Sequence, residues 1–438
     1  MSAMNRLIVV ADDLTGACDS AAYVADCGIK TEVVVDVANT PVSSGFSKAI
    51  IINTQTRTID RERAYFLFKT TVPKVVKQYC EADTRICIFK KIDTAFRGNV
   101  GIEIQGMLEG LDIKTAFLIS AIPVLDRITQ KGHQIIEGRK IHLTDFSHDP
   151  INPVTHSYIP DIINHKTNLS AEGVELGESK TSRFLARIKN NTHDSAKVYV
   201  FDATIQSDIE QIVEQLYPNA KDCVWIGSLG LIQALVKKLY GARTSDTCKY
   251  KFLNGINPSG NIIGISGSAH ARTTEQIKEA ERQGILTTVV FDHIQATNYY
   301  NAKNELERMC QAVRSALKRF EFVCILPERV DPSQNSEDRK VRSIDIVSGL
   351  SEVARCIVQT AAISCLLLIG GETSYAVFKK LGVSTLIITG RIETAVVCGY
   401  FADPRSGKKI SIIIKGGSVG DLDSIVNIYH YITKEQER

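Results

Sequence analysis

The sequence predicts two α/β domains, each with a mostly parallel sheet covered by helices, and an active site in a cleft between the domains. The chain has 438 residues, and a single hydrophobic core seldom grows beyond about 250–300 residues. Short, wholly apolar segments recur between amphipathic stretches, which is the pattern of buried parallel strands alternating with helices. The pattern stops at a polar segment near the middle of the chain and then begins again, so we expect two domains.

The first half contains the segments that predict the first sheet. The strand candidates, in chain order, are "RLIVV", "TEVVVDV", "AIIIN", "ICIFKKID", "TAFLISAIP", "KVYVFDA" and "CVWIG". These runs are too apolar to alternate between a buried and an exposed face, so we expect helices on both sides of them. Segments such as "RERAYFLFKTTVPKVVKQYCEA" and "SDIEQIVEQLYPN" are candidates for those helices.

The second half repeats this pattern after the polar segment "YGARTSDTCKYKFLNGINPSGN". Its strand candidates are "IIGISGS", "LTTVVFD", "EFVCILPE", "SCLLLIGGET", "TLIITG" and "KISIIIKGG", and the helix "TTEQIKEAERQG" ends at Gly284. The charged stretch "RVDPSQNSEDRKVRS", residues 329–343, predicts a solvated loop. We therefore expect an N-terminal domain over residues 1–244, a linker over 245–258 and a C-terminal domain over 259–438.

The composition excludes several classes of protein. Hydrophobic residues make up 44% of the chain and charged residues 23%, and the net charge is only +3. These values are ordinary for a globular protein and give no indication of nucleic acid as a partner. No apolar run approaches the roughly 20 residues of a membrane span, and no secretory signal begins the chain, so we expect a cytoplasmic protein.

The 11 cysteines have no metal-binding or disulfide spacing, and most lie in apolar segments. We therefore expect buried, reduced thiols. The nine histidines also lack the spacing of metal ligands, so the sequence leaves any metal ligands unknown.

Two acidic residues follow the first predicted strand, in the motif "ADDLTGACD". Asp12 or Asp13 could cap the following helix by accepting from its free backbone N–H groups. One acid is enough for a cap, so the second favours a site where a carboxylate accepts a proton or binds a hydroxyl group. The motif alone leaves both interpretations open.

A second charged motif, "KKIDTAFRGNVG", follows the strand "ICIFK". Lys91, Asp93 and Arg97 suit a small anionic polyol, since arginine binds carboxylates and aspartate accepts from hydroxyl groups. A surface cluster of ion pairs is the alternative. The position at a strand end favours the functional interpretation, because ligands of open α/β sheets gather beyond the carboxyl ends of the strands.

Three glycine-rich turns in the second half are candidates for a phosphate site, and tight strand–helix junctions are the alternative interpretation of each turn taken alone. The turns are "ISGSAHARTTEQ", "IGGETSYAVFKKLG" and "IKGGSVGDLDS", and each joins a predicted strand to a helix. Backbone N–H groups at such turns and at helix N-termini bind phosphate. None of the three is a Walker A loop or a Gly-x-Gly-x-x-Gly turn. Charged groups for a polar substrate in one half and phosphate loops in the other indicate a small-molecule kinase.

The same motifs resemble those of the four-carbon acid sugar kinase family. "ADDLTGACD", "KIDTAFRGN", "GSLGL", "SGSAHARTTEQI", "IGGETSYAV" and "KGGSVGD" occur in the order of that family, over nearly the whole chain. The segment "SHDPINPVTHSYIPDII" is most similar to the D-threonate kinase branch. The resemblance implies an ATP-dependent kinase that phosphorylates the 4-hydroxyl group of a four-carbon sugar acid, with the acid in the N-terminal domain and ATP, with Mg²⁺, in the C-terminal domain.

The resemblance also implies roles for individual residues. Asp12 would contact the substrate and act as the general base, and Asp13 would cap the helix or assist Mg²⁺. Arg57 and Lys91 would bind the substrate carboxylate. The residues implied to bind the substrate are Asp12, Arg57, Lys91, Ile92, Asp93 and Thr94, and the charged motif described above adds Arg97. Those implied to bind the nucleotide are Ser268, Gly370, Gly371, Glu372, Thr373, Gly416 and Gly417.

The sequence departs from the family pattern at two places. Asp126 and Ile128 flank Arg127 where similar kinases carry Gly-Arg-Thr-Thr, and His270 stands where a small hydroxyl residue is common. The first departure bears on which stereoisomer fits and the second on a phosphate contact.

Several questions stay open on the sequence alone. D-threonate is the expected substrate, and D-erythronate, L-threonate and a 3-oxo-acid are the alternatives. The alternative classes are an oxidoreductase or isomerase on a similar frame, and a sugar-acid sensor without turnover. Large α/β enzymes often form homodimers, but the sequence leaves the oligomeric state open.

Overall fold

The computed structural model describes residues 4–37, 47–80, 84–149, 152–178, 184, 186, 188, 196–220, 222–241, 260–268, 270–292, 302–328 and 336–436. The chain divides into two compact units, Met1–Ser245 and Asp246–Arg438. The predicted linker, residues 245–258, lies outside the described residues. The predicted position of the active site between the domains stays a prediction.

Unit 1 contains a wholly parallel sheet and a small antiparallel one. Its strands, within the described residues, are β1 (Met4–Ala11), β2 (Thr31–Val34), β3 (Ala49–Asn53), β4 (Thr84–Lys91), β5 (Thr115–Ile119), β6 (Arg127–Gln130), β7 (His133–Ile136), β8 (Arg139–Lys140), β9 (Ser170–Val174), β10 (Lys197–Phe201) and β11 (Cys223–Gly227). In the large sheet they lie in the order β2-β3-β1-β4-β11-β5-β10-β9, and β6, β7 and β8 form the small sheet.

The strands β2, β3 and β11 of the large sheet are buried at every position, which requires cover on both faces of the sheet. The described helices are α1 (Leu14–Asp26), α2 (Arg61–Phe66), α3 (Val72–Gln78), α4 (Val100–Leu111), α5 (Ile159–Asn164), α6 (Gln206–Leu216) and α7 (Leu229–Tyr240). A π-helical turn (Leu67–Thr71) joins α2 to α3, and short 3₁₀ helices lie at Pro123–Leu125, Ile141–Leu143, Asp145–His148 and Tyr217–Asn219. Ile8 and Val10 of β1 are among the fully buried core residues.

The register of the central strands brings three strand ends of unit 1 together. Ala11, the last residue of β1, pairs with Asn53 at the end of β3 and with Lys91 at the end of β4. Because all three strands are parallel, the residues that follow them emerge at one edge of the sheet. This edge contains both charged motifs of the first half.

Unit 2 is a second α/β unit. Its described strands are β12 (Asn261–Ser266), β13 (Thr287–Phe291), β14 (Phe322–Pro327), β15 (Ile363–Ile369), β16 (Thr385–Glu393), β17 (Val396–Ala402) and β18 (Lys409–Lys415), in the order β13-β14-β12-β15-β18-β17-β16. β17 is antiparallel to both of its neighbours, and the other pairs are parallel. Its helices are α8 (Ala271–Arg282), α9 (Ala302–Ala316), α10 (Ser336–Thr360), α11 (Gly371–Leu381) and α12 (Ser424–Gln436). The predicted class, two α/β domains with mostly parallel sheets, is confirmed.

Two predictions about unit 2 are wrong. The sequence predicted only reduced thiols, but the Sγ atoms of Cys310 and Cys356 are bonded and join α9 to α10. These cysteines are 46 residues apart in the sequence, so only the packing of the two helices reveals the pair. The loop predicted over residues 329–343 is also wrong in its second part, because α10 begins at Ser336. Residues 329–335 lie outside the described residues.

The described part of the chain has no helix that combines the length and the apolar character needed to cross a bilayer.

Candidate active site

The two acids that follow β1 have different contacts. Asp13 is the N-cap of α1, and its Oδ1 atom accepts a hydrogen bond of 2.9 Å from the backbone N of Gly16. The Asp12 side chain is only 1% exposed and takes no part in the cap. The capping interpretation is therefore confirmed for Asp13, and Asp12 needs another explanation.

Arg57 provides that explanation, because its guanidinium group lies between the two carboxylates. Its Nε and Nη2 atoms donate to the two oxygens of Asp12, at 2.9 and 3.0 Å, and its Nη1 atom donates to Oδ2 of Asp13 at 2.8 Å. The bidentate contact with Asp12 is a strong form of charge-assisted hydrogen bonding. One arginine thus bridges both acids, and together with the charge of Lys91 it allows two adjacent carboxylates at the end of a buried strand.

The two carboxylates differ in their affinity for a proton. Burial alone would raise the pKa of Asp12, but the positive charges of Arg57 and the two lysines of β4 outweigh it and hold that pKa well below its ordinary value. For Asp13, burial and the charge of Asp12 outweigh the attraction of Arg57, so the pKa of Asp13 is raised. Asp12 is therefore ionised at neutral pH, and Asp13 is the more basic of the two.

The lysines at the end of β4 point to different partners, as adjacent residues of a strand do. Lys90 is fully buried and its Nζ atom lies 2.9 Å from Oε2 of Glu103 in α4. Lys91 is also buried, and its Nζ atom donates to the backbone carbonyl of Ile92 at 2.8 Å. Burial lowers the pKa of Lys91, although the nearby Asp12 and Asp13 charges oppose this effect. Lys90 is thus a structural residue, whereas Lys91 belongs to the charged edge.

The stretch after β4 adds a second acid–arginine cluster. The Nε atom of Arg97 donates to Oδ2 of Asp93 at 2.7 Å, and its Nη1 atom reaches Oδ2 of Asp149 at 3.2 Å. Burial would raise the pKa of Asp93, but the bond from Arg97 and the charge of Arg57 lower it overall. The neighbouring Thr94 is 4% exposed and accepts a hydrogen bond from Arg127 of β6. Asp149 and Arg127 are site neighbours that the sequence did not assign.

The glycine-rich turns of unit 2 lie side by side. Ser266 at the end of β12 pairs with Ile369 at the end of β15, and Ile369 pairs with Lys415 at the end of β18. Because these strands are parallel, the three turns emerge at one edge of the sheet. α8 and α11 begin at two of the turns, so their N-termini lie at this edge as well. The structure thus brings together every residue that the sequence proposed for the nucleotide.

A positive φ explains one of the glycines, and close contact with a side chain explains another. Gly370 has a φ of +105°, which side chains rarely allow. A Cβ atom at Gly417 would lie 2.2 Å from Oγ of Ser268, so the β12 and β18 turns approach each other too closely for any larger residue. Thr273 joins the same two turns, since its Oγ1 atom lies 3.1 Å from Oγ of Ser268 and donates to the carbonyl of Gly417 at 2.5 Å.

Two further residues hold the β18 turn and were not assigned from the sequence. The buried Nζ atom of Lys415 donates to the carbonyls of Gly416, at 3.1 Å, and Val419, at 2.7 Å. Gln276 donates to the carbonyls of Val419 and Asp421. Burial lowers the pKa of Lys415 to about 8, against the attraction of Glu393. Only the tertiary fold shows these contacts, because Gln276 lies more than 140 residues from its partners.

His270 is the N-cap of α8, and its Nδ1 atom accepts from the backbone N of Arg272 at 3.2 Å. The residue that departs from the family pattern therefore takes over a capping role that a hydroxyl residue could also perform.

Comparisons with known proteins agree with this division into two units. Residues 7–235 match a family model described as a sugar-binding N-terminal domain, and residues 263–425 match one described as a nucleotide-binding C-terminal domain. In fold, the protein is similar to the crystal structures of Haemophilus influenzae protein HI1011 (TM-score 0.73, 21% identity, 98% of this chain and 99% of that one) and of a Salmonella typhimurium LT2 protein (TM-score 0.77, 21% identity, 97% of this chain and 98% of that one).

Three curated relatives match nearly the whole chain. They are a D-threonate kinase of Salmonella typhimurium (24% identical, 98% of each chain), a D-erythronate kinase of Heliobacterium modesticaldum (23% identical, 98% of this chain and 97% of the relative) and a 3-oxo-tetronate kinase of Salmonella typhimurium (24% identical, 95% and 97%). All three are named as kinases of four-carbon sugar acids, and their levels of identity to this chain are nearly equal.

Proposed function

Because the chain belongs to the four-carbon acid sugar kinase family, we propose that it transfers the γ-phosphoryl group of ATP to the 4-hydroxyl group of D-threonate. The chain is a phosphotransferase with an alcohol group as acceptor. The alternative of an oxidoreductase or isomerase is therefore not supported. The choice of D-threonate is supported by the whole-length similarity to a D-threonate kinase and by the segment over residues 147–163.

The observation that carries the proposal is the charged edge of unit 1, defined by Asp12, Asp13, Arg57, Lys91 and Asp93. These side chains lie at or just after the ends of three adjacent parallel strands. Arg57 bonds to Asp12 and Asp13, Arg97 bonds to Asp93, and Lys91 donates to the carbonyl of Ile92. Carboxylates at such an edge accept hydrogen bonds from the hydroxyl groups of a polyol, and cations attract its carboxylate.

We propose Asp12 as the group that accepts the proton of the 4-hydroxyl group when this hydroxyl attacks the γ-phosphate. Its low pKa keeps it ionised at neutral pH. Asp13 is the alternative acceptor, because its pKa is raised and a stronger base takes up a proton more readily. Asp93, with Thr94 and the backbone of Ile92, would orient the remaining hydroxyl groups. Lys91 and Arg57 supply the positive charge that offsets the acids.

The glycine-rich turns of unit 2 are proposed to hold ATP. Backbone N–H groups after β15 and at the start of α11 would bind phosphate oxygens, and Ser268, Gly416 and Gly417 would complete this binding surface. Glu372 lies in the first turn of α11 and is exposed. We therefore expect it to contact the nucleotide only at the edge of the binding site.

Mg²⁺ is proposed to arrive with the nucleotide. In the described ranges, no three or more His, Cys, Asp or Glu side chains lie together as a metal site would require. This donor set fits Mg²⁺ only as an ion held mainly by phosphates and water with one protein carboxylate, which is its common mode in kinases. Asp13 is the proposed carboxylate. When bound, the ion would neutralise charge on the phosphates.

An ATP-consumption assay with D-threonate, D-erythronate, L-threonate and the 3-oxo-acid tests the proposal. We expect D-threonate to give a kcat/KM at least about tenfold above the others, since a site built on hydrogen bonds discriminates between hydroxyl arrangements, and phosphorus NMR should place the phosphate on the 4-hydroxyl group. A higher kcat/KM with another acid would replace D-threonate by that acid. Thermal stabilisation by an acid without any ATP consumption would instead support a sugar-acid sensor.

A further inference from the structure

Both arginines of the proposed substrate site are engaged by the protein's own acids, and the ammonium group of Lys91 donates to the backbone carbonyl of Ile92. Three nitrogen atoms of Arg57 donate hydrogen bonds to Asp12 and Asp13. Arg97 likewise bonds Asp93 and Asp149. A sugar acid brings one more negative charge to this edge. Burying a carboxylate beside several others is unfavourable unless a further cation is available.

Arg127 is the cation that meets this need. In the part of the chain that the structure describes, its guanidinium group has no carboxylate within ion-pair distance and makes one side-chain hydrogen bond, from Nη1 to Oγ1 of Thr94. A guanidinium group has five N–H donors, so most of them are available. Thr94 is adjacent to Asp93 in the proposed substrate stretch, and Arg127 itself is half-buried. Arg127 therefore presents an unneutralised charge at the substrate edge.

The β6–β7 hairpin holds Arg127 firmly in this position. The backbone N of Ile122 donates to the carbonyl of Arg127 at 2.8 Å, and Thr129 exchanges two backbone hydrogen bonds of 3.0 Å with Ala203, just after β10. The turn of the hairpin is fixed too, because the backbone N–H groups of Lys131 and Gly132 donate to a single carboxylate, that of Asp202, at 2.7 and 2.9 Å. Because the backbone of the hairpin is already ordered, binding a ligand through Arg127 requires no ordering of a loop.

We propose that Arg127 is the residue that binds the carboxylate of the sugar acid, through a two-pronged guanidinium–carboxylate contact beside Thr94. This inference rests on the proposed function and reassigns one part of it. Arg57 then keeps the two acids in position, and Arg127 recognises the negative end of the substrate. Any acid that binds must place its carboxylate by Arg127, so the distance from this carboxylate to the hydroxyl near Asp12 selects the chain length of the substrate.

The test compares Arg127→Gln and Arg127→Lys with the unaltered protein, on D-threonate and on its neutral amide. We expect Arg127→Gln to raise the KM for D-threonate by at least about 30-fold, the loss typical when one partner of a buried charge pair is truncated, with the KM for ATP unchanged. The preference for the acid over the amide should fall by the same factor. Arg127→Lys should restore part of that preference, because it keeps the charge.

Arg139→Gln is the matched control, because it removes an arginine from the same small sheet at an exposed position in β8. It should leave both KM values unchanged, and thermal unfolding should show that all three variants are folded. A purely structural role of Arg127 would affect the acid and its amide equally, so an unchanged acid-to-amide ratio in Arg127→Gln would overturn the proposal.

Calorimetric titration with D-threonate separates this proposal from the proposed function. If the unaltered protein binds the acid but does not phosphorylate it, the proposed function fails, and weaker binding by Arg127→Gln still supports the role of Arg127. If the unaltered protein neither binds nor phosphorylates any four-carbon acid, both proposals fail.

Discussion

Asp12 and Asp13 are adjacent residues of the same type, but their different contacts give them different properties. Both oxygens of Asp12 contact Arg57, and its side chain is almost inaccessible. Asp13 divides its oxygens between the cap of α1 and Arg57. Their opposite pKa shifts follow from these contacts, since the carboxylate of Asp12, with two hydrogen bonds from Arg57, holds its charge more readily than that of Asp13.

Replacing Asp12 by Asn should lower kcat by about 10²–10⁴, the usual contribution of a general base. Asp13→Asn is the comparison, because asparagine preserves the oxygen that caps α1, and we expect a smaller loss. Steady-state kinetics measure both effects, with circular dichroism as the check on folding. Near-normal turnover in Asp12→Asn, combined with a large loss in Asp13→Asn, would transfer the role to Asp13.

Lys415 should make stability depend on pH in alkaline solution. Its folded-state pKa is about 8, whereas an unfolded lysine titrates near 10.4. Between these values the unfolded chain binds more protons than the folded one, so the free energy of unfolding gains a contribution that increases with pH. Below about pH 8 both states are protonated and this contribution is absent.

The difference in thermal midpoint between the unaltered protein and Lys415→Met reports this contribution. We expect the difference to grow in favour of the unaltered protein from about pH 7.5 to pH 10. A difference that is constant over this range would show that Lys415 titrates normally despite its burial.

At the scale of elements, the turns after β12, β15 and β18 depend on the close packing of glycines against side chains of the neighbouring turns. The β12 and β18 turns are in contact through Ser268 and Gly417, and Thr273 bonds to both. A change in one turn therefore displaces the other. The shape of the proposed nucleotide site therefore depends on all three turns.

Gly417→Ala should raise the KM for ATP by about tenfold, since its Cβ atom would overlap Oγ of Ser268 and overpacking of this kind costs about 1–3 kcal/mol. Binding of the sugar acid should be unaffected. Gly284→Ala, beyond the C-terminus of α8, is the control, because no atom lies within 4 Å of its added Cβ and only stability should fall. An unchanged KM for ATP in Gly417→Ala would argue against this turn as a nucleotide contact.

At the scale of the whole molecule, each unit has its own hydrophobic core. The core of unit 1 includes Ile8, Phe68 and Leu118, and that of unit 2 includes Phe322 and Leu367. A core of its own is what allows a domain to fold alone.

Fragments 1–244 and 259–438 should therefore each unfold cooperatively. We expect D-threonate to raise the thermal midpoint of the first fragment only, and ATP that of the second only, because a ligand stabilises the state that binds it. Differential scanning fluorimetry measures both shifts, with the full chain as the reference that responds to both ligands. Two unfolded fragments would show that the domain boundaries are wrong.

The homodimer also stays a prediction, which light scattering would test.

The sequence by itself determined the features that depend on residues close together in the chain, namely the strands, the turns after them and a helix cap. Wholly apolar strands indicated sheets buried on both faces, and the polar or glycine-rich residues after them indicated ligand-binding edges. The nucleotide residues proposed from the sequence do lie at one edge, since parallel strands bring their carboxyl ends together whatever the details of packing. The motif at Asp13 likewise predicted a helix cap, which is a contact over only three residues.

The tertiary structure alone decided the contacts between residues that are distant in the chain. Arg57 lies 45 residues from Asp12, Arg127 lies 33 residues from Thr94, and the bonded pair Cys310–Cys356 is separated by 46 residues. Each depends on how strands and helices pack, and no spacing in the sequence encodes that packing. For the same reason the sequence could identify Asp12 as unusual but could not show which charge compensates it.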